Sequence, residues 1–90
     1  MNSSDAARRL LEALFVMKQS NEIIELFGVC QRAELSLYAG LSTLQLLGSV
    51  GLVDPVRLRL TLTGLGVATS LVRGSVAAEV QFEQLWSRAA

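Results

Sequence analysis

A group of arginine and polar side chains carries most of the binding chemistry in this 90-residue chain. Arginine contacts phosphate groups, and hydroxyl and amide side chains contact base edges or the sugar-phosphate backbone. An alternative is structural, because arginines at every second position are also typical of the solvent-exposed face of a strand. The candidate residues for nucleic-acid contact are Arg32, Ser36, Tyr38, Ser42, Thr43, Gln45, Arg57 and Arg59.

The composition argues against catalysis and against a bound metal or cofactor. The chain has no histidine, so a Ser-His or Cys-His nucleophile cannot form and zinc lacks its usual ligands. The segment GLGVAT has Thr69 where a dinucleotide-binding fingerprint has its third glycine, and too few residues follow for a second βαβ unit. We therefore expect neither an enzyme nor a cofactor.

Cys30 is the single cysteine of the chain. It excludes an internal disulfide and fits a reducing compartment, by default the cytoplasm. A lone thiol in a turn or at a helix end more often packs as a small apolar side chain than senses redox state. We therefore expect Cys30 to be a packing residue.

Charge and apolar content bear on the kind of partner. Eight basic residues balance eight acidic ones, so nucleic-acid binding has to come from local clustering rather than from an overall positive field. Hydrophobic residues make up 51% of the chain, which is high for a soluble protein of this length. We therefore expect some of the surface to pack against another chain.

One uncharged run raises a membrane alternative. Residues 35–53 contain no charged side chain, and a bilayer is spanned by about 20 apolar residues. The run contains several polar and glycine residues, however, and its flanks are Glu34 and Asp54 instead of basic anchors. Two short buried helices explain the same residues, so we expect no membrane span.

Helical patterns precede this run and continue into it. Apolar spacing predicts a helix over about residues 5–19 and a short second helix over residues 22–27 that stops at the following glycine. Residues 32–39 and 42–47 also have helical patterns. Gly40 between them is a kink, a turn or a close contact with a neighbour.

A strand pattern follows. Residues 56–63 alternate strictly between apolar and polar side chains, which predicts a half-buried strand. Asp54 and Pro55 form the turn of a tight hairpin that joins this strand to residues 52–53. Thr63 then caps the next helix. The apolar face of the predicted strand comprises Val56, Leu58, Leu60 and Leu62.

The last third of the chain predicts a long C-terminal helix. Its apolar stripe runs from Leu65 to Trp86, with a bend or break at Gly74 and Ser75. Large side chains on this helix form the predicted partner interface, namely Val76, Val80, Phe82 and Trp86.

Helix, helix, helix, small hairpin and helix is the order of a winged-helix domain. The segment LGSVGLVDPVRLRLTLTGLGVATSL resembles the end of a recognition helix, a Gly-Leu-Val step into a wing strand and a Leu-Thr-x-x-Gly helix entry. These features are similar to those of small regulators of the MarR and ArsR groups. The segment EIIELFGVCQRAELSLY resembles a helix-turn-helix with its turn at residues 28–30, and residues 40–42 are the alternative turn.

This resemblance implies a fold and a function. The fold is mainly α with a small β-hairpin, a single winged helix-turn-helix domain over residues 1–90 in which residues 64–90 form the C-terminal helix. The implied function is a dimeric transcriptional regulator that binds double-stranded DNA. The alternative is a winged-helix adaptor that binds another protein and no DNA.

Overall fold

A computed structural model describes residues 3–89 of the chain. Across these residues a two-stranded antiparallel hairpin lies between the third and fourth of five helices. The fold is therefore mainly α with a small hairpin, as the sequence predicts. The elements are α1 Ser3–Gln19, α2 Leu26–Arg32, α3 Leu37–Ser49, β1 Val53–Asp54, β2 Arg59–Leu60, α4 Leu62–Val72 and α5 Val76–Ala89.

The helix α1 is the centre of the core and packs against α2, α3, α4 and β2. Its apolar residues recur every three or four positions, which places them on one helical face. The predicted helix over residues 5–19 is confirmed, with a start two residues earlier. The buried residues of this face include Ala7, Leu10, Leu11, Leu14 and Met17.

The second helix differs from its prediction. Residues 22–25 are not helical, and α2 begins at Leu26, so Gly28 and Cys30 lie inside the helix. The predicted turn at residues 28–30 is therefore wrong. Glycine costs about 1 kcal/mol inside a helix. The α2 segment nevertheless stays helical because it buries Val29 and Cys30.

The third helix is continuous through Gly40. The Gly40 amide donates to the Ser36 carbonyl at 2.8 Å, so the residue is neither a kink nor a turn. A Cβ atom at this position would overlap the Cys30 sulfur, because α2 and α3 approach each other closely there. Of the three alternatives for Gly40, the structure selects the close contact.

The hairpin is where it was predicted but is much shorter. Val53 pairs with Leu60 and Asp54 pairs with Arg59, and residues 55–58 form the connecting turn. The Asp54 carboxylate accepts the amides of Val56 and Arg57 at 3.0 and 3.1 Å. These two hydrogen bonds occupy backbone amides that a longer strand would pair with its neighbour, so the strand ends at Asp54.

The predicted strand over residues 56–63 is therefore wrong. Val56 and Leu62 are each 90% exposed, whereas Leu58 and Leu60 are partly buried against the core. Leu58 adopts a left-handed backbone with φ of 55°, which reverses the chain at the end of the turn. The alternating sequence is thus divided among a turn, two strand residues and the first turn of α4.

The α4 helix begins at Leu62, and its N-cap is Thr61 rather than the predicted Thr63. The predicted break at residues 74–75 is confirmed, since Gly74 has φ of 78° and α5 begins at Val76. No helix within residues 3–89 is long and apolar enough to cross a membrane.

Candidate functional site

One face of α3 is free of the core. Thr43, Leu44 and Leu47 are buried on the opposite face and hold the helix against α1 and α2. A four-residue connection, residues 33–36, separates α3 from α2. The free face, called here the α3 face, comprises Tyr38, Leu41, Ser42 and Gln45, all exposed.

The structure sorts the predicted polar residues of this helix into two groups. Tyr38, Ser42 and Gln45 lie on the α3 face and are available to a ligand. Ser36 is the N-cap of α3, and its hydroxyl accepts the Ala39 amide at 3.1 Å. Thr43 is 7% exposed and donates to the Ala39 carbonyl at 2.7 Å, so its prediction as a binding residue is wrong.

Arg32 ends α2 and is held in an ion pair. Its guanidinium Nη2 lies 2.6 and 2.7 Å from the two carboxylate oxygens of Glu22. The pair connects the loop before α2 to the end of that helix. A phosphate group at Arg32 therefore has to compete with an intramolecular carboxylate.

The hairpin carries the other two predicted arginines. The Pro55 ring packs over Gly48, where a Cβ atom would lie 3.0 Å from two ring carbons, so the turn lies at the C-terminal end of α3. Arg57 Nε is 3.9 Å from an Asp54 carboxylate oxygen. Arg59 is exposed and forms no ion pair with any residue in the range 3–89.

Lys18 is a cation that sequence reasoning missed. It lies at the end of α1 and lines one shallow groove together with Asp54 and Arg59. Lys18 and Arg59 are 41 positions apart in the sequence, and no local pattern predicts their proximity. The exposed cations near the hairpin are therefore Lys18, Arg57 and Arg59.

An apolar surface adjoins the start of α3. Phe27 is 64% exposed, and Phe27 and Leu37 line a groove of about 230 Å³ together with Cys30. Tyr38 and Leu41 continue this surface along α3 at helical spacing. Phe27, Leu37, Tyr38 and Leu41 are called here the α2–α3 apolar patch. Sequence reasoning missed it because it placed α2 four residues too early.

Cys30 is buried at the contact between α2 and α3. Burial raises the pKa of its thiol, which keeps the sulfur protonated and poorly nucleophilic. The packing role expected from the sequence agrees with this environment.

The predicted partner interface is divided between the surface and the core. Val76 and Val80 are 72% and 53% exposed. Phe82 and Trp86 are buried in the chain's own core, where their rings stack with centroids 6.3 Å apart. Their assignment to an interface is corrected, because large aromatic side chains at helical spacing are satisfied here by intramolecular packing.

No cluster of three or more His, Cys, Asp or Glu side chains that could hold a metal occurs among residues 3–89. In comparisons with family models, curated proteins and solved structures, no match to this chain was found.

Proposed function

We propose that this chain is a winged helix-turn-helix regulator that binds double-stranded DNA through α3. The observation that supports this function best is the placement of α3. It follows a short helix and a four-residue connection, is anchored by one face, and exposes polar side chains on the other. Helix-turn-helix proteins insert a helix placed in this way into the major groove.

The exposed polar side chains of α3 and the cations near the hairpin have distinct roles in this proposal. Tyr38, Ser42 and Gln45 contact base edges and backbone oxygens from within the groove, because hydroxyl and amide groups both donate and accept hydrogen bonds. Arg57 and Arg59 contact phosphates beside the C-terminal end of α3, where the hairpin lies. Lys18 extends the phosphate contacts to α1.

The test is electrostatic. Three phosphate contacts per copy predict that the logarithm of affinity falls with the logarithm of salt concentration with a slope of about −2.7 per bound copy. We would measure fluorescence anisotropy with a labelled duplex enriched from a random library, beginning at low salt. Arg59→Ala is expected to make the slope shallower by about 0.9 per copy.

Arg9→Ala is the matched control, because Arg9 lies in the N-terminal half of α1, pairs with Asp5 and lines no groove with Lys18, Arg57 or Arg59. The slope for this variant should equal that of the unmodified chain. Absence of duplex binding at low salt would contradict the proposed function.

The α2–α3 apolar patch favours a second function, that of a protein-binding adaptor. No charged side chain occurs in α3, and exposed apolar surface of this kind marks protein contacts. In the adaptor, Phe27→Ser abolishes a protein complex that Arg59→Ala leaves intact. In the regulator, Arg59→Ala weakens duplex binding.

We further propose that the regulator is cytoplasmic and that two copies pair through α5.

A further inference from the structure

A narrow stripe of α5 faces away from the core. Ala78, Phe82 and Trp86 are buried on the inner side of this helix. The outer residues recur at spacings of three and four, so they form one continuous line on the helix. This line, called here the α5 stripe, comprises Val76, Val80, Glu83 and Ser87, all exposed.

Opposite charges flank the two valines. Arg73 precedes α5 as the C-cap of α4, and Glu83 follows Val80 by about one helical turn. Both are exposed, and neither forms an ion pair within the described part of the chain. By contrast, the neighbouring Glu79 is paired with Arg8 at 2.8 Å. Along the chain, a cation therefore precedes the two apolar side chains of the stripe, and an anion follows them.

We infer that the α5 stripe binds the same stripe of a second copy in the antiparallel direction. A twofold axis that crosses α5 at the level of Ala78 places Val76 opposite Val80 of the second copy. Val76 and Val80 then each lie about 3 Å along the helix from the axis. The same axis brings Arg73 towards Glu83 of the second copy. Each interaction occurs twice, because a twofold interface is self-complementary.

The order of charges selects a second copy over an unrelated partner. An antiparallel copy neutralises both charged positions and covers the exposed valines with each other, whereas a parallel copy places like charges together. A contact made through one helix stripe is expected to bury less than the roughly 1,600 Å² of a typical stable complex, so the dimer should dissociate on dilution.

The inference deepens the dimeric regulator proposed above, and its experiment contains no DNA. Sedimentation equilibrium would measure the dimer dissociation constant over protein concentrations of about 1 to 500 µM. Arg73→Glu and Glu83→Arg should each raise this constant about tenfold, because each change replaces two attractions by two repulsions. The double variant restores both pairs in reversed order and should return the constant to within about threefold of the original.

Two further variants complete the test. Val80→Glu should raise the dissociation constant by at least about tenfold, since it places an unpaired charge in the apolar contact. Arg88→Glu changes an exposed α5 residue outside the stripe and should leave the constant unchanged. A chain that stays monomeric at every concentration overturns the inference, and so does a dimer that the two single charge reversals do not weaken. Loss of duplex binding with an intact dimer counts against the DNA-binding proposal alone.

Discussion

At the residue scale, the contact between Gly40 and Cys30 sets the distance between α2 and α3. The Gly40 hydrogen atom points at the buried sulfur, and any larger side chain there overlaps it. Because this distance positions the start of α3 relative to Phe27, a single pair of residues controls the geometry of the candidate site. A lone cysteine and a helical glycine, each unremarkable in the sequence, thus form one packing unit.

Gly40→Ala should lower the free energy of unfolding by about 2 kcal/mol, because the added methyl group overpacks the contact. Cys30→Ala removes the sulfur, so in the double variant the cost of the two changes should be clearly less than their sum. Urea denaturation of the four proteins gives this coupling. Gly66→Ala is the control, since it lies in α4 with open space around it and should stabilise by about 0.5–1 kcal/mol. Additive costs at Gly40 and Cys30 would contradict the proposed clash.

At the element scale, the hairpin and α4 are joined through Thr61. Its hydroxyl accepts the Gly64 amide at 3.0 Å and donates to the Gly51 carbonyl at 2.6 Å. Gly64 itself packs against the Leu52 backbone so closely that a Cβ atom would overlap the Leu52 carbonyl oxygen. One side chain therefore caps α4 and also fixes the chain just before β1.

Thr61→Ala should lower the free energy of unfolding by about 1–2 kcal/mol, because it removes the N-cap and the bond to Gly51 together. Thr61→Ser keeps both hydrogen bonds and should recover most of this loss. Thr63→Ala is the matched control, since Thr63 is exposed and should change stability by less than about 0.5 kcal/mol. Thermal unfolding followed by circular dichroism gives all three values. A larger effect at Thr63 than at Thr61 would refute the cap assignment.

Local patterns predict some of these elements better than others. The helix over residues 5–19 and the break at residues 74–75 follow from apolar periodicity and from a glycine, both of which act over one or two helical turns. The prediction of a strand over residues 56–63 is wrong because the Asp54 side chain, which precedes the alternating run, organises a turn. The predicted position of α2 is wrong because the burial of Val29 and Cys30 outweighs the tendency of Gly28 to end a helix.

At the scale of the whole molecule, the candidate site depends on contacts between distant parts of the chain. Tyr38, Ser42 and Gln45 share a face, as their helical spacing predicts once the bounds of α3 are known. The groove shared by Lys18 and Arg59 requires the packing of α1 against β2, which no local signal contains. The sequence pattern of Phe82 and Trp86 suits a partner interface and a core equally well. Only the packing of the whole chain shows that both side chains belong to the core.

The proposed dimer and the proposed duplex binding predict a coupled behaviour of the whole assembly. Two copies bring six phosphate contacts, so the salt slope for the unmodified chain should be about −5.4, twice the value for a single copy. Val80→Glu separates the copies without altering the α3 face, and its slope should therefore fall towards about −2.7. Anisotropy titrations of both proteins at matched concentrations measure the two slopes. Gln81→Glu is the control, because it adds the same charge at an exposed α5 position outside the stripe and should keep the dimer. Equal slopes for the dimer and for a Val80→Glu chain shown to be monomeric would mean that the copies do not bind the duplex together.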